Sequence, residues 1–146
     1  MRPTTPIHPI AQCEMGVLVL GARLLSPVLT LKQLVTLAHH AAEFAPPRAL
    51  HRAQLSEGAS LAAILANRAS RLVPGTSCMH RAVAARLWLA RRGIAGRIVI
   101  GFRKRGWLEG HAWLEISTDT DPIYLFKSES DGYSRSLDED ELVGAK

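Results

Sequence analysis

Apolar side chains recur at helical spacing as far as Arg92 and change to strand spacing after Gly93. The run Met15–Leu25 predicts an apolar helix, broken at Pro27 because proline has no N–H to give to a helix interior. Ahead of it, Pro3, Pro6 and Pro9 predict a loose arm over residues 1–10. Leu31, Leu34, Val35 and Ala38 predict a second helix, with Thr30 as its N-cap and Pro46-Pro47 ending the unit. The stretch RALHRAQLSEG (48–58) reads as a short helical or irregular connector. A third helix follows over Ser60–Val73, where Leu61, Ile64, Leu65 and Leu72 favour one side, and Pro74-Gly75 stops it.

The strongest helix is SCMHRAVAARLWLARRG (77–93). Its alanines and leucines favour helix, and Thr76 or Ser77 can cap it. Arg91 and Arg92 suit the negative end of the dipole, and Gly93 suits a left-handed C-terminal cap. GRIVIGFRKRG (96–106) then reads as a buried strand. GHAWLEIS (110–117) alternates, with Ala112, Leu114 and Ile116 on one face and His111, Trp113 and Glu115 on the other. TDTDP is a turn, and IYLFKS (123–128) is a third strand. Strands so close in sequence predict an antiparallel meander, followed by a short acidic, helical tail. Helices followed by strands make an α+β protein. Residues 1–58 form an N-terminal helical lobe and residues 59–146 the core, joined in one compact unit.

Charge narrows the function less than it first promises. The chain of 146 residues has a formal net charge of +5 and a pI near 9.8. Its arginines are spread along the chain, the stretch Asp138–Glu141 is acidic, and three Trp, three Phe and two Tyr leave few stacking platforms for single strands. Nucleic acid is therefore not an expected partner. Arg23 and Pro27 leave the apolar stretch Met15–Leu29 short of the ~20 residues of a membrane span. The start has one basic residue, the acidic Glu14 and no tidy cleavage site, so a cytoplasmic protein is expected.

The two cysteines, Cys13 and Cys78, are too few for a disulfide framework. Cys78, His80 and His111 lack the spacing of a zinc site, and the adjacent His39 and His40 point in different directions. No phosphate-cradling glycine loop is present, so neither metal nor nucleotide is expected as a cofactor.

The chemistry gathers at Cys78. A cysteine in the first turn of a helix meets unpaired N–H groups and a partial positive charge, a setting that favours thiolate and can receive an oxyanion. The bland alternative is a small buried side chain. A nucleophile also needs a base within reach. His80, two residues on, points elsewhere on the helix. His111 is 33 residues downstream (111 − 78), on a strand that can pack beside the helix start.

The segment SCMHRAVAARLWLARRGIAGRIVIGFRKR…EGHAWLEI resembles the bacterial transglutaminase-like cysteine peptidases that mature lasso peptides. The resemblance lies in C-x-x-R-A entering a Leu/Ala/Arg helix that ends R-R-G-I, then a strand with I-G, then H-A-W-x-E. It covers Ser77–Ile116 closely. It implies a papain-like core in which Cys78 and His111 are catalytic. It also implies an acidic residue on the next strand, level with the histidine. With the turn centred near Thr120 and Asp121, that residue is Glu129, with Asp131 second. Glu115 and Trp113 are expected to shape the site.

The implied reaction removes the leader from a ribosomally made precursor peptide by thiolate attack and thioester hydrolysis. The implied partners are that leader, a separate leader-recognition protein and an ATP-dependent macrolactam cyclase. The first sixty residues show no alternating strands for a peptide-augmented sheet, so recognition is expected to lie in another protein. Two other readings stand beside this one: a transglutaminase-like acyltransferase, and a non-catalytic peptide-binding scaffold with a structural Cys78.

Overall fold

The computed structural model describes residues 8–127 and 132–144. Among these described residues, five helices and four strands follow in the order α1 (Pro9–Leu25), α2 (Leu31–Glu43), α3 (Arg52–Leu72), α4 (Cys78–Ala90), β1 (Arg97–Arg105), β2 (Trp107–Ile116), β3 (Ile123–Leu125), β4 (Ser134–Asp138) and α5 (Glu139–Gly144). The protein is α+β, as its hydrophobic periods predict.

α1 begins at Pro9, earlier than the apolar run suggests, because proline's missing N–H costs nothing at a helix start. α2 opens with a reciprocal cap: the Gln33 N–H donates to Thr30 Oγ1 at 3.3 Å, and the Thr30 N–H donates to Gln33 Oε1 at 2.9 Å. α3 begins at Arg52, takes in the rest of the expected connector and runs unbroken through residue 58. Gly58 lies inside it because a Cβ there would come 2.5 Å from Ile94 Cδ1. The buried face of α3 is also not the leucine-rich one. Ala59, Ala62, Leu65, Ala66 and Ala69 face the core, while Ile64 and Leu72 are exposed. Small alanines let helices approach closely, and here they define the inner side.

α4 is the hub. It touches α1, α2, α3, β1 and β2, and Ala82–Ala85, Trp88, Leu89 and Ala90 are buried. Its C-terminus turns at Gly93, φ 77°, where the Ile94 N–H donates to Leu89 O at 3.0 Å. Glu14 on α1 binds Arg92 at 2.8 Å and Arg91 at 3.1 Å, which holds its carboxyl below the ordinary range and ties the two helices.

The sheet is antiparallel in the order β3-β2-β1-β4. The expected three-strand meander is present, and β4 adds a fourth strand on the far side of β1. The acidic tail forms α5, as expected. Ile98, Ile100, Leu114 and Ile116 fill one face of the β1–β2 pair, while Val99 and Trp113 are buried on the other. Glu139, at the start of α5, is 1 % exposed. Arg86 Nε lies 3.2 Å from Glu139 Oε2, His39 Nδ1 lies 2.8 Å from Oε1, and the Ile98 N–H donates to Oε2 at 3.0 Å. One carboxylate thus joins α2, α4, α5 and β1.

Among the described residues, no helix is long and apolar enough to cross a membrane.

Candidate active site

Ser77 is the N-cap of α4, and Cys78 is its first helical residue. The first backbone bond of the helix runs from the Arg81 N–H to Ser77 O at 3.3 Å. The N–H groups of Cys78 and Met79 therefore precede the intrahelical ladder, at the positive end of the dipole. Cys78 is a free, half-buried thiol; Cys13, on α1, is exposed.

His80 holds that first turn together. The Ser77 N–H donates to His80 Nδ1 at 2.8 Å, so the imidazole does what Glu or Gln does in a capping box. Nδ1 accepts, which places the proton of the neutral ring on Nε2. Burial, and then the nearby Arg23 charge, push the His80 pKa below its ordinary value. Its role is that of a neutral cap.

The turn before the helix is propped from α1. Arg23 Nε donates to Pro74 O at 3.3 Å, and its guanidinium fills the space beside Gly75, where a Cβ would lie 2.9 Å from Nε. Gly75 also has φ 75°, a conformation that favours glycine.

His111 lies on β2 opposite Gly101 of β1 and is 7 % exposed. A Cβ on Gly101 would come 2.8 Å from the Trp113 ring and 2.8 Å from Ser134 O. The missing side chain lets Trp113 lie across β1. There it stacks beside His111 with centroids 6.3 Å apart and planes at 22°. Tyr133 approaches the imidazole to 5.3 Å between centroids. The tyrosine is itself held: Arg103 lies 4.3 Å over its ring, and its hydroxyl donates to Glu109 Oε2 at 3.3 Å. Arg103 binds the same carboxylate at 2.6 Å, and that bond lowers the Glu109 pKa.

The Nε2 nitrogen of His111 lies 3.2 Å from the main-chain oxygen of Phe126. Among the described residues, Nδ1 makes no hydrogen bond, and none joins the Cys78 thiol to His111. Phe126 links the two candidates. Its carbonyl touches His111, and its ring lies 5.2 Å under the guanidinium of Arg81, which is one turn along α4 from Cys78.

Glu129 and Asp131 lie outside the described residues. Asp119 and Asp121 are in the β2–β3 turn, where Asp121 O accepts from Arg52 at 2.9 Å. Glu115, expected to help shape the site, is bound to Arg97 at 3.2 Å, whereas Trp113 does stand beside His111. Sequence reasoning missed Phe126, Tyr133 and Arg81. A main-chain acceptor leaves no side-chain signature, and Tyr133 precedes a strand with no apolar alternation to mark it. Among the described residues, no three His, Cys, Asp or Glu are placed to hold a metal ion.

Searches among curated proteins and among solved structures found no match. A family model described as the transglutaminase-like superfamily matches residues 17–129, a span that contains both Cys78 and His111. The match extends over most of the molecule: the chain belongs to the transglutaminase-like superfamily, which includes cysteine peptidases and acyltransferases.

Proposed function

We propose that the chain is a cysteine endopeptidase that removes the leader from a ribosomally made lasso-peptide precursor. The observation that carries the peptidase reading is a pair of half-finished groups. Cys78 stands at the open end of α4, and His111 has Nε2 tied down with Nδ1 left as an acceptor. In the reaction, Nδ1 takes the proton of Cys78 as the sulfur attacks the scissile carbonyl. The N–H groups at the head of α4 receive the oxyanion. His111 then protonates the departing amine, the C–N bond breaks, and water hydrolyses the thioester. The leader leaves as an acid, and the core peptide gains a free α-amine. No cofactor is required.

The lasso-precursor substrate is supported by the C-x-x-R-A…R-R-G-I…H-A-W-x-E pattern over Ser77–Ile116. On this reading the protein works in the bacterial cytoplasm. A separate recognition protein delivers the leader, and an ATP-dependent cyclase closes the macrolactam on the new amine.

The test is mass spectrometry of a lasso precursor incubated with its recognition protein and this chain, wild type against Cys78→Ala. A leader-sized fragment formed only by the wild type supports the reading. An amidated or crosslinked peptide would move it to acyl transfer. An intact precursor with the leader confirmed as bound would overturn it.

A further inference from the structure

We propose that the main-chain carbonyl of Phe126 is the group that orients His111, so that the third member of the catalytic set is backbone rather than a carboxylate. The inference rests on the peptidase reading above and names how its base is held. A carbonyl oxygen can only accept, so the 3.2 Å contact requires the proton on Nε2. A neutral imidazole protonated there has its lone pair on Nδ1, the atom that must take the thiol proton. Fixing the tautomer is the task the buried acid performs in the familiar triads. Phe126 positions the base without touching substrate.

The backbone is shaped for this contact. β3 pairs Ile123 with Ile116, Tyr124 with Glu115 and Leu125 with Leu114. One more step of that ladder would set Phe126 opposite Trp113 in extended conformation. Instead Phe126 has φ 68°, the one non-glycine left-handed residue among those described. That value swings its carbonyl about half a turn from a strand position near −140°. Left-handed bulky residues are uncommon and persist only where the surroundings hold them, often at functional sites. Here the residue is 8 % exposed, its ring lies beneath Arg81, and β2–β3 pairing fixes the preceding residue.

The nitrogen-15 spectrum of His111 in the resting full-length protein, assigned with His111→Gln, reads this directly. The expected pattern is a protonated Nε2 and an unprotonated Nδ1. Phe126→Gly, which accepts the left-handed backbone, should keep it. Phe126→Val, whose branched side chain disfavours that backbone, should mix the tautomers and slow iodoacetamide alkylation of Cys78 by about tenfold. A main-chain ester in place of the Phe126–Lys127 amide leaves every side chain intact, weakens the Phe126 carbonyl as an acceptor and removes the Lys127 N–H; it should slow alkylation about fivefold.

A wild-type imidazole with its single proton on Nδ1 and Nε2 bare would overturn the proposal. So would a tautomer change on Glu129→Gln, which would assign the task to the carboxylate, or an ester variant matching the wild type in tautomer and rate. These readouts need no peptide. A chain that fails to cut precursors but shows the Nε2–H tautomer would refute the substrate and leave the orientation standing.

Discussion

Glu139 and His111 are both buried against the β1–β2 pair, and their surroundings differ in kind. The Glu139 carboxylate has Arg86, His39 and the Ile98 N–H around it, so both oxygens are engaged. His111 has one nitrogen on Phe126 O and aromatic rings beside it, while the other nitrogen makes no hydrogen bond among the described residues. A saturated buried charge holds segments of chain together. A half-saturated imidazole keeps a lone pair for chemistry. The first should therefore matter for stability and the second for rate.

The largest effect should separate them outright. Cys78→Ala or His111→Ala should reduce peptide cleavage by at least about a thousandfold with little change in thermal midpoint, read by cleavage kinetics and calorimetry. Glu139→Gln should do the opposite. Leaving Arg86 without its counter-charge should cost about 3 kcal/mol or more in urea unfolding, with the rate per folded molecule preserved. A Glu139→Gln protein that is stable but inactive would erase the distinction.

Gly101→Ala should blur the two roles by design. Its Cβ would strike backbone at Ser134 O as well as the Trp113 ring, so a cost of about 1–3 kcal/mol is expected together with slower cleavage as Trp113 shifts beside His111. Gly58→Ala is the control. Its Cβ meets the tip of a flexible side chain, Ile94 Cδ1, and helix propensity favours alanine by about 1 kcal/mol, so the net change should be near zero.

The smallest effect is in pH. The His80 pKa is lower in the folded protein than in the unfolded chain, so the unfolded chain binds more protons just below the ordinary imidazole value of about 6.5. Stability should therefore decline as pH falls through that region. His80→Gln keeps a side chain that can close the cap on Ser77 and should flatten the decline. An unchanged acid limb in that variant would assign the effect elsewhere.

Most of the fold was legible because period and punctuation agree. Thr30 caps α2, Ser77 caps α4, Gly93 ends it, and the three strands follow in a meander. What was hidden had physical reasons. α3 carries its packing on alanines, which hydrophobic spacing underweights, and Gly58 mimics a break. β4 has one apolar side chain, Leu137, in five residues and depends on its ladder with β1. In the candidate site, Cys78 and His111 could be picked out by residue type and order. The Phe126 contact could not, because it is made by a backbone oxygen and set by a φ angle.

The most direct test of the Cys78–His111 pair uses the protein's own two thiols. Alkylation by iodoacetamide at pH 6, followed residue by residue by mass spectrometry, compares exposed Cys13 with half-buried Cys78. Exposure alone favours Cys13. A nucleophile served by His111 predicts that Cys78 reacts faster, and that His111→Gln reverses the order. Cys13 reacting faster in the wild type, with no change in His111→Gln, would contradict the assignment of Cys78 as the catalytic residue.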